Sequence, residues 1–175
     1  MLFSNLLHPG GKAGDSPTPT LVVKVTGRRS RNAALFRYTG KRWENVSAQS
    51  GPIFAEELAA RGLALGDFDN NGTVDALVSI NDGPPILLRN NIARQNHWLG
   101  VRLIGRKANV DAIGAKITYR SGDFQRHRWV YGKGGFLCAH DPRIVLGLGR
   151  RTTMDWIEVK WPPPSDKVER FVNPP

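Results

Sequence analysis

Three aspartates and two asparagines crowd one short stretch, Gly66-Asp67-Phe68-Asp69-Asn70-Asn71-Gly72-Thr73-Val74-Asp75. Counting from Asp67, side-chain oxygens fall at positions one, three, five and nine, and a glycine stands at position six. That is donor chemistry for a hard cation such as Ca²⁺, which takes roughly 6–8 oxygen ligands at about 2.3–2.6 Å. Asp67, Asp69 and Asn71 alternate, so they turn inward together as the backbone curls around an ion. Gly72 permits the sharp turn, the Thr73 carbonyl supplies a main-chain oxygen, and Asp75 closes the shell. The expected ligands are therefore Asp67, Asp69, Asn71, Thr73 and Asp75.

The first half follows the EF-hand loop pattern, but the closing acid stands at position nine instead of twelve. The flanks explain the difference. Leu63 and Leu65 alternate with small residues before the loop, and Ala76-Leu77-Val78-Ser79-Ile80 behind it is short, apolar and β-branched, ending at Asn81-Asp82-Gly83-Pro84. These are strand and turn signals, so the loop joins two strands. Asp-Asn-Asn-Gly also makes a tight turn that binds nothing. A turn needs only two or three of these residues, and the full oxygen spacing exceeds that need.

The chain has 175 residues, 40% of them hydrophobic and 9% aromatic, the composition of a globular protein with a real core. Nineteen glycines and twelve prolines suit many short strands and turns. No apolar run approaches the roughly 18 residues that span a bilayer. Met1-Leu-Phe-Ser-Asn-Leu-Leu-His-Pro9 lacks a basic leader and makes a poor signal peptide. Lys and Arg total 25 against 15 Asp and Glu, a formal charge of +10 that favours acidic partners such as nucleic acid, anionic glycans or anionic lipid. The excess is spread along the chain, as on a generally basic surface. One cysteine forms no disulfide within the chain.

Leu35-Phe-Arg-Tyr38 and Arg42-Trp-Glu-Asn-Val-Ser47 around Thr39-Gly40 read as a hairpin, with Leu21-Val25 as an earlier strand. Ala55-Ala60 reads as one helical turn. Leu87-Leu-Arg-Asn90 repeats Leu35-Phe-Arg-Tyr38, and Leu2-Phe-Ser-Asn5 is a weaker copy; the spacing near fifty residues is that of a four-stranded propeller blade. From Asn96 onward the period is two. Ile113, Ala115, Ile117 and Tyr119 share one face, as do Ile157, Val159 and Trp161; His97–Leu103 and Ile144–Leu148 behave alike, with Phe124–Tyr131 and Lys167–Val172 as further strands. Half-buried antiparallel strands explain this, so a small β-sandwich or barrel is expected.

Three other constellations carry less. Cys138-Ala-His140-Asp141 holds a nucleophile, a base and an acid, but a working dyad draws its members from separated segments and needs an oxyanion site. In Gln125-Arg-His-Arg-Trp-Val-Tyr-Gly-Lys133, alternation sends His127, Trp129 and Tyr131 to one face and Arg126 and Arg128 to the other. The aromatics are expected in the core and the arginines in solvent, which separates stacking from phosphate contact. Gly132-Lys-Gly-Gly135 and Gly147-Leu-Gly149 lack the context of phosphate loops, and the four histidines lack zinc spacing.

Residues 64–78 resemble an FG-GAP or VCBS-type repeat, the calcium-loop blade of integrin-like β-propellers. The pieces Asn96-His-Trp-Leu-Gly-Val-Arg-Leu103, Ile113-Gly-Ala-Lys-Ile117, Leu146-Gly-Leu-Gly149 and Ile157-Glu-Val-Lys-Trp-Pro162 resemble the ASPIC/UnbV domain. The expected organisation is an unassigned linker or atypical N-terminus over 1–32, an FG-GAP/VCBS-like repeat over 33–95, and an ASPIC/UnbV-like β domain over 96–175. The expected fold class is all-β: a propeller-blade-like unit with a calcium loop, then a small antiparallel sandwich or barrel. One calcium loop cannot close a propeller of about 4–8 blades. Upstream propeller blades are therefore expected partners if the chain is a fragment of a longer protein. The expected function is a non-enzymatic module for adhesion or protein–protein interaction with a protein or glycan ligand, in the extracellular or cell-surface setting that the resemblance implies. The spread charge adds the expectation of no specific nucleic acid, and the lack of a long apolar run that of no membrane span. The alternative is a basic β-barrel that binds single-stranded nucleic acid or another polyanion.

Overall fold

The computed structural model describes residues 21–24, 31–39, 41–91, 96–132 and 138–174. The stretch Met1–Pro9 with its copy at Leu2–Asn5, the last residue of the expected Leu21–Val25 strand, and 133–135 of the Gly132–Gly135 stretch lie outside these residues. The described chain is all-β, with two short 3₁₀ turns at Ser47–Gln49 and Pro52–Ala55. It divides into two compact units. One comprises residues 1–65, 75–89 and 133–140; the other 66–74, 90–132 and 141–175.

In the first unit, β1 (Leu21–Lys24), β3 (Ala34–Tyr38) and β4 (Trp43–Asn45) form one antiparallel sheet. β2 (Arg31–Asn32) pairs with β5 (Glu57–Leu58). A third sheet orders β6 (Ala60–Gly66), β7 (Asp75–Ile80) and β8 (Ile86–Leu88). The β3–β4 hairpin follows the sequence pattern, its turn closed by the Thr39 N–H on the Arg42 carbonyl at 3.0 Å. Leu35, Phe54, Leu63, Ala76 and Val78 form the core.

The helical turn expected over Ala55–Ala60 is not there. Pro52 starts a 3₁₀ turn that ends at Ala55, and Glu56 is already extended (φ −84°, ψ 143°). Six residues of helical composition cannot repay the cost of helix nucleation. Pairing Glu57 and Leu58 with Asn32 and Arg31 satisfies the same backbone groups in a strand.

In the second unit a four-stranded antiparallel sheet runs β11 (Phe124–Trp129), β10 (Lys116–Ser121), β13 (Trp156–Lys160), β14 (Val168–Val172). A two-stranded sheet pairs β9 (His97–Arg102) with β12 (Arg143–Gly149). Both contribute to one core of Ile117, Tyr119, Leu146, Leu148, Ile157 and Val159, with Leu99, Val101 and Ile144 at its margin. The Tyr119 hydroxyl donates to the Gly147 carbonyl at 3.2 Å and so links the layers; burial pushes its pKa up, against the lowering effect of Arg128 and Arg126.

Two face assignments change. Ile113 is exposed, because Gly114 (φ +91°) breaks the chain direction and β10 starts only at Lys116. In β11 the faces are the reverse of the expected ones: Trp129 is 44% and Tyr131 59% exposed. The register sets Arg126 opposite Tyr119 and Arg128 opposite Ile117, and residues directly opposite share a face. β11 is an edge strand, so its inward arginines lay their stems on the core margin and keep their heads near water. Arg126 and Arg151 stand 4.6 and 4.8 Å from the Phe124 ring, which meets Tyr119 edge-on at 6.0 Å.

Candidate metal centre

Strands β6 and β7 hold the two ends of the Asp67–Asp75 loop, as the flanking alternation requires. Left-handed backbone at Asn70 (φ 55°) and Gly72 (φ 83°) bends it. Asparagine tolerates that region and glycine prefers it. Gly72 is required twice over, because an added Cβ would lie 2.1 Å from Cδ1 of Trp98.

Asp67 is buried, and both its oxygens are used: Oδ1 accepts the Asn71 N–H at 2.9 Å and Oδ2 the Gly72 N–H at 2.8 Å. A buried carboxylate needs such charge-assisted bonds to offset desolvation. Asp75 is also buried and Asp69 half-buried, and one carboxylate oxygen from each of Asp67, Asp69 and Asp75 lies within 4.8 Å of the other two. These three could hold a metal ion. The donor set is all oxygen, without thiolate or imidazole, and each carboxylate oxygen keeps a second lone pair. It fits a hard divalent cation.

Asn71 is turned to the loop's own backbone. Its Oδ1 accepts the Thr73 N–H at 2.8 Å, and the Thr73 hydroxyl lies between that oxygen and the Asn90 carbonyl, 2.9 Å away. The hydroxyl has one proton; given to Asn90, it leaves a lone pair on Asn71. Asn90 also donates from Nδ2 to the Val74 carbonyl at 3.3 Å.

A residue that the sequence reading missed completes the loop's support. Arg143 donates to the Asp67 carbonyl at 2.9 Å and to Asn70 Oδ1 at 3.3 Å. Asp141 orients it through both carboxylate oxygens, and the Arg143 hydrogen bond holds the Asp141 carboxyl below its usual range against a smaller opposing effect of burial. The only local signal was Asp-Pro-Arg at 141–143. The would-be catalytic His140 accepts the Leu65 N–H on Nδ1 at 3.0 Å, and burial lowers its pKa. His140 and Asp141 thus position backbone and an arginine.

Residues 105–175 match the ASPIC and UnbV family model. The match covers β10 to β14 and begins after the loop. The chain is also similar to cartilage acidic protein 1: 31% identical to the Mus musculus protein over 117 residues, which is 64% of this chain and 18% of that protein. For Homo sapiens the figures are 30% over 117 residues, 64% and 17%. For Xenopus tropicalis they are 32% over 118 residues, 63% and 18%. The chain therefore spans under a fifth of the length of these relatives. Among the described residues no helix is long and apolar enough to cross a membrane.

Proposed function

We propose that this chain is a non-enzymatic, calcium-binding β module that serves adhesion or protein–protein interaction outside the cell. The observation that carries the calcium reading is the convergence of Asp67, Asp69 and Asp75, with carboxylate oxygens within 4.8 Å of one another on one short loop. Such a cluster repels itself, and a divalent cation removes the repulsion. Asn71 in place of a fourth carboxylate lowers the ligand charge and keeps affinity modest, about 10⁻⁵–10⁻³ M as in extracellular modules. The loop and its strands act as one FG-GAP/VCBS-like propeller blade, which in a longer protein would pack on further blades upstream. Similarity to cartilage acidic protein 1 supports the extracellular setting, and a protein or glycan ligand is the partner proposed for it there.

Thermal unfolding with calcium, magnesium or chelator tests the site. At about 100 times the dissociation constant, a ligand of the folded state contributes about 2.7 kcal/mol, so calcium should raise the melting temperature by several degrees. Magnesium dehydrates reluctantly and should do much less. Melting curves that ignore calcium and chelator alike would reduce the loop to a turn.

A further inference from the structure

The outward face of the β11-β10-β13-β14 sheet is cationic, and the register shows how its side chains are grouped. Lys116 on β10 stands between Trp129 on β11 and Lys160 on β13, and Val168 of β14 continues that row. In the next row lie His127, Thr118, Glu158 and Arg170; in the third, Gln125, Arg120, Trp156 and Val172. Each residue faces away from the buried Ile117, Tyr119, Ile157 and Val159 that alternate with it. Neighbouring strands lie about 4.8 Å apart, and successive rows about 6.8 Å. Four cations (Lys116, Arg120, Lys160 and Arg170) therefore share a patch roughly 15 Å across with two carboxylates, Glu158 within it and Asp155 beside Arg120 at 3.9 Å.

Three of the four cations are held, not trailing. The Arg170 guanidinium lies 4.4 Å from the Trp156 ring and donates to Glu158 at 2.8 Å. Lys116 Nζ lies 5.6 Å from the Trp129 ring. Arg120 donates to the Gly122 carbonyl at 2.8 Å, lies 3.9 Å from the Asp155 carboxylate and stays half in water, as does Arg170. Preset cations on a rigid sheet lose little entropy when an anion binds.

We propose that this face binds a linear sulfated polysaccharide. Sulfate esters ask for oriented guanidinium and ammonium groups, and the exposed Trp129 ring gives a sugar's C–H face an apolar seat. A single-stranded nucleic acid needs a series of open aromatic platforms for its bases. Here the Trp156 ring is already covered by Arg170, which leaves Trp129 as the exposed ring of the three rows. The proposal gives the adhesive role a partner class and rests on that extracellular reading. It draws on none of the loop aspartates, so either proposal can fail alone.

The test is fluorescence anisotropy of a labelled heparin octasaccharide with the full chain, as a function of salt. Neutralising three contacts to a linear polyanion should lower the slope of log K against log salt by about 2, and the affinity near 150 mM salt by roughly tenfold or more. Lys116→Gln/Arg120→Gln/Lys160→Gln should show both losses, and Lys160→Glu alone should show them in part if the triple variant is poorly folded. Lys41→Gln/Arg42→Gln/Arg61→Gln, an equal charge loss on other exposed residues, should change affinity less than about threefold. Trp129→Ala should weaken binding without changing the salt slope. Equal losses from the two triple variants, no binding, or a thymidine oligonucleotide of equal charge bound as tightly would each overturn the proposal.

Discussion

The core of the second unit and the Asp67–Asp75 loop are both tightly organised, and they are organised by opposite means. In the core, Ile117, Tyr119, Leu146 and Val159 are withdrawn from water and held by area and fit. In the loop, Asp67 and Asp75 are withdrawn as completely, and what holds Asp67 is backbone N–H groups. Apolar burial is indifferent to ions, whereas buried carboxylates are conditional on whatever neutralises them. The core should thus be the fixed part of the stability and the loop the part that solution conditions adjust.

Cutting into the core should give the largest loss. Leu146→Ala should cost about 2–5 kcal/mol, read by chemical denaturation, and the loss should be the same with calcium or chelator. A calcium-dependent loss would mean that the two regions do not separate in this way. Gly72→Ala comes next: it forces a left-handed conformation and meets Trp98, so about 2–4 kcal/mol should go, together with the calcium response. Asp67→Ala and Asp75→Ala should each abolish the calcium-induced rise in melting temperature, about 2.7 kcal/mol at about 100 times the dissociation constant. A variant that keeps the rise would remove that residue from the ligand set.

Arg143→Gln should have a smaller effect, on the order of 1 kcal/mol, since it loses contacts to the Asp67 carbonyl and Asn70 that are partly open to water. Its signature should be a weaker calcium response with the core unchanged. The smallest expected effect is that of pH through His140. Burial depresses its folded pKa below the ordinary 6.5, so the unfolded chain binds the proton more readily. Stability should be full above about pH 6.5, fall as pH drops through that value, and level off below the folded pKa. His140→Gln should flatten that step in melting curves between pH 5 and 8; an unchanged step would assign it to another group.

What the sequence determined by itself was local. Alternation placed Ala115, Ile117 and Tyr119 on a buried face, because side-chain direction in a strand has a period of two whatever the strand packs against. The Asp67–Asp75 spacing brought three carboxylates together, since a tight loop turns alternate residues inward without help from elsewhere. What only the tertiary structure decided depended on neighbours remote in the chain. Arg143 reaches the loop from 76 residues away, and no local pattern encodes that approach. Alternation also split β11 correctly into two sets but could not say which set faced inward. That was set by the register with β10 and by β11 lying at the sheet's edge, where an arginine can cover apolar surface and still reach water. The same pairing set Trp129 beside Lys116 on the outward face, because a cross-strand neighbour is fixed by hydrogen-bond register and not by distance along the chain.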